Sequence, residues 1–311
     1  MPRRSRQEDI EVLRRKLIAL LTSFEDELKR GDLKARVEAL IPAFHALRDL
    51  GSSLIPSKIA ASGRDRVLAY LKKYALTVVR GDELMVVSGI GDWPRRVREL
   101  RKEFGWSVIT GATAKEMDEE GDFPLKQIDT SSLGPDDYIL LSREPDRDAA
   151  YRWRIANDIR KKKSGVREKI LEYMRLNVEK GITGEELRYI ANDKSEWARR
   201  VRELRTELGW PIVSKNTGRP DLPVGVYMLE EERQSPPHDR KIKDSVRREV
   251  LRRDKYTCVP CGWNHKLWNR SDPRHLELHH KKYHSRGGEN DPENLITICT
   301  VCHDEEHRHH H

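Results

Sequence analysis

Fifteen residues of this chain are written twice. DWPRRVRELRKEFGW at 92–106 and EWARRVRELRTELGW at 196–210 agree at eleven of fifteen positions. A duplication of that quality obliges two stretches of the chain to fold alike. The correspondence continues upstream with one gap: Arg66-Val67-Leu68-Ala69-Tyr70-Leu71 faces Lys169-Ile170-Leu171-Glu172-Tyr173-Met174, and Gly81-Asp82-Glu83-Leu84 faces Gly184-Glu185-Glu186-Leu187. Apolar residues at helical spacing make each unit read as helix, short helix, long helix. Short extended runs follow, 106–109 with 138–141 in the first unit and 210–213 with 224–229 in the second.

Three helices and a two-stranded ribbon resemble a winged helix-turn-helix, so the chain resembles a tandem pair of such domains, at 57–142 and 166–230. On a helical wheel Trp93, Val97, Leu100 and Phe104 share one arc, as do Trp197, Val201, Leu204 and Leu208, and both sets are expected to pack inward. Arg95, Arg98 and Lys102 then point outward in the first unit, and Arg199 and Arg202 in the second. On the helix that such a motif inserts into the major groove, an arginine row contacts phosphates or pairs with guanine O6 and N7. The other reading is a solvated face held by i,i+4 pairs, Arg95 with Glu99 and Arg199 with Glu203. The tryptophans at 93, 106, 197 and 210 are expected in the core.

Composition narrows the partners. Of 311 residues, 36% are charged, and 60 Lys and Arg against 52 Asp and Glu leave a net charge of +8. That excess favours a polyanion, nucleic acid before membrane. No apolar run approaches the ~18 residues of a membrane span, and the opening residues lack an apolar signal core, so no membrane association and a cytoplasmic location are expected. Residues 1–50 carry two apolar stripes, Ile10 to Leu28 and Val37 to Leu47, with Gly31-Asp32 between them. Two helices cannot enclose a core, so these stripes dock either on a neighbouring domain or on a second copy of the chain. Residues 143–165 read as a basic connecting helix that lies along phosphates or is solvated. Residues 231–244, with Pro236-Pro237, read as the last linker.

All four cysteines fall between 258 and 302. Cys258 with Cys261 and Cys299 with Cys302 are two C-x2-C pairs with thirty-seven residues between them, which reads as a tetrahedral four-thiolate zinc site rather than two disulfides. Four thiolates leave no position open for water, so this Zn2+ is structural. The insert carries His279-His280, Arg286-Gly287-Gly288 and Asn294, and the second pair runs into His303, with His307 four residues on.

LELHH, SRGGENDPENL and C-x2-C-H, in that order, resemble the HNH nuclease family with its ββα-metal motif, over about 60 residues at 245–308. The resemblance implies a catalytic divalent ion, Mg2+ or Mn2+, with His279 as ligand, His280 as general base, Asn294 bracing the loop between strand and helix, and His303 as the closing ligand. His307, one helical turn on, is either a third ligand or an ordinary helix-end histidine. His265, His275 and His284 are treated as surface or structural, Arg286 as a possible phosphate contact, and His309, His310 and His311 are set aside. Neighbouring strand residues face opposite ways, so His279 and His280 are expected to serve different partners.

The chain is therefore read as multidomain α+β: N-terminal helices, two winged-helix-like repeats and a zinc-stapled ββα-metal domain. The function expected is a metal-dependent DNA endonuclease of restriction type. Two alternatives stay open: a modification-dependent nuclease that senses a methylated base, and a DNA-binding regulator whose zinc fold is non-catalytic. The expected partners are double-stranded DNA and a second copy of the chain in a homodimer, with no small-molecule cofactor. RNA is disfavoured because its major groove is too narrow to admit a helix.

Overall fold

The computed structural model of the chain describes residues 9–30, 32–123, 125–235, 241–269, 271–283 and 287–309. It forms two compact units, Met1–Val108 with Asp136–Ala149, and Ile109–Pro135 with Ala150–His311. Among the described residues no helix is long and apolar enough to cross a membrane.

The first unit opens with α1 (Ile10–Arg30) and α2 (Leu33–Ser53), which pack on each other. Asp32 caps α2 by accepting from the Ala35 amide at 2.9 Å. The first repeat follows as α3 (Gly63–Lys73), β1 (Val79–Arg80), α4 (Gly81–Ser88), α5 (Trp93–Lys102), β2 (Val108–Thr110) and, after an excursion, β3 (Asp137–Leu140). The last turn of α2 docks on α4, so closely that a Cβ on Gly51 would lie 2.7 Å from the Val86 carbonyl oxygen. The apolar stripes are thus only partly used within their own unit: Leu33, Phe44 and Leu47 remain 78%, 66% and 55% exposed.

The excursion between β2 and β3 carries α6 (Gly111–Glu119) and belongs to the second unit. There α7 (Ala149–Arg160) precedes the second repeat, α8 (Val166–Arg175), β4 (Ile182–Thr183), α9 (Gly184–Ile190), α10 (Trp197–Thr206), β5 (Ile212–Ser214) and β6 (Val226–Leu229). Helix α7 is solvated on one face, with Tyr151, Arg154 and Asp158 exposed, and buried on the other, which the expectation for 143–165 did not include. Trp153, Ala156 and Ile159 are buried, and Arg152, also buried, donates from Nε to Glu186 at 2.9 Å. Its charged residues hid a short apolar stripe.

Both repeats build a three-stranded sheet, in the orders β1-β3-β2 and β4-β6-β5, where the sequence suggested two strands. The extra strand has two residues in each copy, too few to show any period. Equivalent atoms do equivalent work in the two copies. Tyr70 donates to Glu83 at 2.6 Å and Tyr173 to Glu186 at 2.8 Å. Trp93 meets Tyr138 edge-on at 5.8 Å, and Trp197 meets Tyr227 at 5.9 Å. Gly105 and Gly209 turn the chain after the third helix at φ +71° and +70°, a conformation that disfavours a Cβ. One inward assignment fails: Phe104 is exposed, its ring covered instead by the Arg64 guanidinium at 4.4 Å. Phe104 sits past the end of α5, where the helical wheel no longer applies.

The C-terminal domain comprises α11 (Asp244–Arg253), β7 (Leu276–His280), β8 (Leu295–Cys299) and α12 (Thr300–His309). The two strands pair antiparallel with Leu276 opposite Cys299 and His280 opposite Leu295. Val250, Leu251, Trp263, Leu278 and Ile298 fill its core. Its ties to the second repeat are polar and buried. Arg205 of α10 donates from Nε to Asp244 at 2.9 Å and lies 3.5 Å from Asp122, and His265 lies 3.3 Å from Glu230. Residues 236–240 of the expected linker fall outside the described residues.

Both Glu83 and Glu186 accept the amide of the residue that caps their helix, and Glu186 gathers two partners more, Arg152 and the Thr183 hydroxyl. Replacing it by Ala leaves a buried guanidinium without its carboxylate, which should cost about 3–5 kcal/mol. Glu83→Ala, at a half-buried position, should cost about 1–2 kcal/mol. Denaturant unfolding followed by circular dichroism measures both, and equal losses would contradict this ranking.

Candidate metal centre and active site

The two cysteine pairs come from opposite ends of one small domain. Cys258 and Cys261 flank a turn in which the Gly262 amide donates to the Cys258 carbonyl at 2.8 Å and Gly262 takes φ +74°. Cys299 ends β8, and Cys302 lies in the first turn of α12. The Val259 amide of the Cys258–Cys261 turn donates to the Thr297 carbonyl of β8 at 2.9 Å, which sets the first pair beside the second, and all four sulfurs lie within 4.8 Å of one another. Cys261 Sγ and Cys299 Sγ stand 3.7 Å apart, too far for a disulfide. Four thiolates about 2.3 Å from a tetrahedral zinc would lie about 3.8 Å from each other. The donor set therefore fits Zn2+. Burial pushes the Cys258 thiol up to about 11, and a bound cation supplies the charge that lets such thiols ionise.

Strand alternation sorts the histidines. Glu277 and His279 share one face of β7, and His280 takes the other. On the first face, the His279 and His303 rings meet with centroids 5.0 Å apart. His303 Nδ1 lies 2.6 Å from Glu277 Oε2, a contact in which the ring nitrogen donates to the carboxylate and the ring is held in place. Burial opposes the charge of Glu277, yet His275 and His303 beside it hold its carboxyl far below the usual carboxylate range. On the second face, His280 Nε2 lies 2.7 Å from Asn290 Oδ1.

Asn294 sits at the foot of β8, where its side chain spans the loop. Its Oδ1 accepts from the Lys282 amide at 2.9 Å, and its Nδ2 donates to the carbonyls of Lys282 at 3.0 Å and Glu289 at 2.9 Å. The structure thus brings together His279, His303 and Glu277, and separately His280 with Asn290. The His307 side chain, His284 and Arg286 lie outside the described residues. Among the described residues, the four cysteines are the cluster whose ligand atoms all converge, while His279 and His303 form a pair.

Sequence reasoning passed over Glu277 and Asn290. A period of two from His279 back to Glu277 was available as a signal; nothing in the sequence marked Asn290. His275 is buried, 3.6 Å from Glu277 and 3.8 Å from Glu231, and His265 is buried against Glu230, so both are structural rather than surface residues.

The arginines singled out on the third helices have varied settings. Arg95 lies 3.1 Å from Glu99 and Arg199 lies 3.3 Å from Glu203, the i,i+4 pairing of an ordinary charged helix. Arg202 reaches Glu120 at 2.5 Å. Arg98 is exposed, and Lys102 is half-buried.

Two replacements separate the cysteine cluster from the histidine pair. Cys258→Ala should abolish zinc binding and lower the melting temperature of the C-terminal domain, because metal binding and folding are coupled in so small a core. Glu277→Gln should keep zinc and fold, and weaken any Mn2+ or Mg2+ binding at the His279–His303 pair about ten- to hundredfold by freeing the His303 ring. Zinc content with thermal melting tests the first expectation. Titration calorimetry of the zinc-loaded chain tests the second, and unchanged affinity would remove Glu277 from its orienting role.

The family described as HNH endonuclease matches residues 258–309. The family described as KpnI N-terminal domain matches residues 64–141 and 167–230, which are the two repeats. No curated protein and no solved structure matches the chain. Four converging thiols, a histidine pair on β7 and a third histidine on α12 thus coincide with a matched family, and the chain carries an HNH endonuclease domain behind a duplicated KpnI-type N-terminal domain: it is a nuclease.

Proposed function

We propose that the chain is a metal-dependent, restriction-type endonuclease that cuts duplex DNA at sites chosen through its two winged-helix-like repeats. The observation that carries this reading is the sorting of His279 with His303 on one face of β7 and His280 with Asn290 on the other. A zinc fold needs its cysteines alone. Oriented, buried histidines on both faces of a strand have no role in a regulator that merely binds DNA, so that alternative loses its ground.

In this reading His279 and His303 hold a divalent ion, Mg2+ or Mn2+, with His307 as the candidate third ligand. When bound, that ion neutralises charge on the phosphate and polarises it. His280 takes the proton of the attacking water. Its contact with Asn290 Oδ1 at 2.7 Å fixes the plane of the ring. Asn294 fixes the loop that follows β7 and so fixes the direction of His280. The zinc cysteines hold the strand ends and the start of α12 in register.

One such centre hydrolyses one strand at a time, so a double-strand break takes two chains or two visits. The exposed Leu33, Phe44 and Leu47 of α2 supply an apolar surface for a homodimer. DNA rather than RNA follows from the repeats, since a helix fits the major groove of B-form DNA.

His280→Ala should keep zinc, melting temperature and DNA binding while lowering cleavage by at least about a hundredfold, the scale of a lost general base. Near-normal cleavage by this variant would end the assignment. Digesting methylated and unmethylated genomic DNA with Mg2+ or Mn2+, then sequencing the ends, identifies the site and any dependence on modification. Light scattering of the full chain against Phe44→Asp tests assembly: a dimer that becomes a monomer supports the apolar surface, and a monomeric parent free and on DNA excludes it.

A further inference from the structure

The duplication allows the surfaces of the two repeats to be compared residue by residue. Arg98 of α5 corresponds to Arg202 of α10, Arg101 to Arg205 and Met85 of α4 to Arg188 of α9. In the first copy Arg98 is exposed, and it forms no ion pair among the described residues. In the second copy chain covers the same side of α9 and α10, namely residues 110–123. Thr113 donates to Glu185 at 2.6 Å, Glu116 lies 3.5 Å from Arg188, and Glu120 lies 2.5 Å from Arg202. Asp122 accepts from Ser214 at 2.9 Å and lies 3.5 Å from Arg205, and the Gly121 carbonyl accepts from Asn216 at 3.2 Å.

This covering is packed as core. Ala114, Met117 and Phe123 are at most 1% exposed. Gly184 of α9 comes so close that a Cβ there would sit 3.0 Å from Met117 Sδ. The three cations Arg188, Arg202 and Arg205 are each matched by a carboxylate of residues 116–122. Beside them runs a groove of about 580 Å³ whose lining mixes both signs of charge, with Asp118, Glu119 and Glu207 alongside Lys241, Lys243 and Arg248. DNA phosphates bind where cations await them, and the Arg202 guanidinium is already taken by the Glu120 carboxylate.

We infer that the two repeats have divided the work. Helix α5 of the first repeat reads the duplex, with Arg98 as its specificity-determining side chain, and α10 of the second is a docking face for residues 110–123. Arg205 makes this arrangement consequential, because it holds both Asp122 of that segment and Asp244 of the nuclease domain. Arg202 then contributes to the stability of the nuclease-bearing unit and not to the choice of site. The inference rests on the reading of the chain as a DNA-cutting enzyme whose third helices meet DNA.

The test measures DNA binding by the full chain in a His280→Ala background, so that the duplex survives. The probes are duplexes that this chain recovers from a random-sequence library, alongside unselected duplexes. Arg98→Ala should weaken binding to the recovered duplexes about ten- to hundredfold and to unselected ones much less. Arg202→Ala and Glu120→Gln should stay within about twofold on both while lowering the melting temperature, the mark of a structural pair. A loss for Arg202→Ala as large as for Arg98→Ala overturns the division of labour and leaves the wider reading standing. Tenfold tighter binding by Glu120→Gln also overturns it, since the acid would then be a removable shield over a reading helix. If neither arginine variant changes preference, the third helices do not read DNA, and the wider reading of the repeats falls with the inference. Should Arg202→Ala not fold, Arg202→Met, which keeps the stem's packing, takes its place.

Discussion

The second compact unit is organised around one buried charge. Arg205, wholly withdrawn from water, sits among Asp122 from the segment after α6, Asp244 at the start of α11 and the hydroxyl of Tyr227. Burial disfavours its charge, and the carboxylates outweigh that penalty. Such a cluster adds little net stability over an apolar core, but it is unforgiving of misplacement, because any one partner removed leaves an uncompensated ion. Three stretches far apart in sequence are therefore held to a single geometry. The same economy recurs at Glu186, where Arg152, Tyr173 and Thr183 meet one carboxylate beneath α9.

Within that frame the nuclease domain is small and depends on its staple. Its core is a two-stranded sheet between α11 and α12, and a sheet of two strands is marginal by itself. The four thiols bind the turn before β7 to the end of β8 and the start of α12, which fixes the strand register. Register in turn decides which histidine faces α12, since a slip of one residue would exchange His279 for His280. The cysteine cluster and the histidine arrangement are thus one problem in folding, solved by cysteines at one end of the strands and histidines at the other.

The duplicated repeats show how a scaffold persists while its surfaces diverge. Tyr70 with Glu83 and Tyr173 with Glu186 keep one hydrogen bond, and the Trp–Tyr pairs keep one packing angle, because these contacts define where the third helix lies against the sheet. Outward residues carry no such obligation. The second copy has used its outward face for further packing, and its third helix buries Ala198, Glu203 and Arg205 in addition to the apolar arc.

The sequence alone determined the duplication, the helix order within each repeat, the convergence of the four cysteines and the strand that carries His279 and His280. Each of these depends on local period or on ligand spacing, which a linear chain displays openly. It could not display the two-residue strands β1 and β4, which exist only because β3 and β6 supply hydrogen-bond partners, nor the burial of α7, whose apolar stripe is masked by flanking charge. It also left the partners of charged residues undecided. Arg98 and Arg202 occupy identical positions in matching repeats, yet one is exposed and the other meets Glu120, eighty-two residues away along the chain. An ion pair is a fact of distance in space, and only the tertiary structure sets that distance.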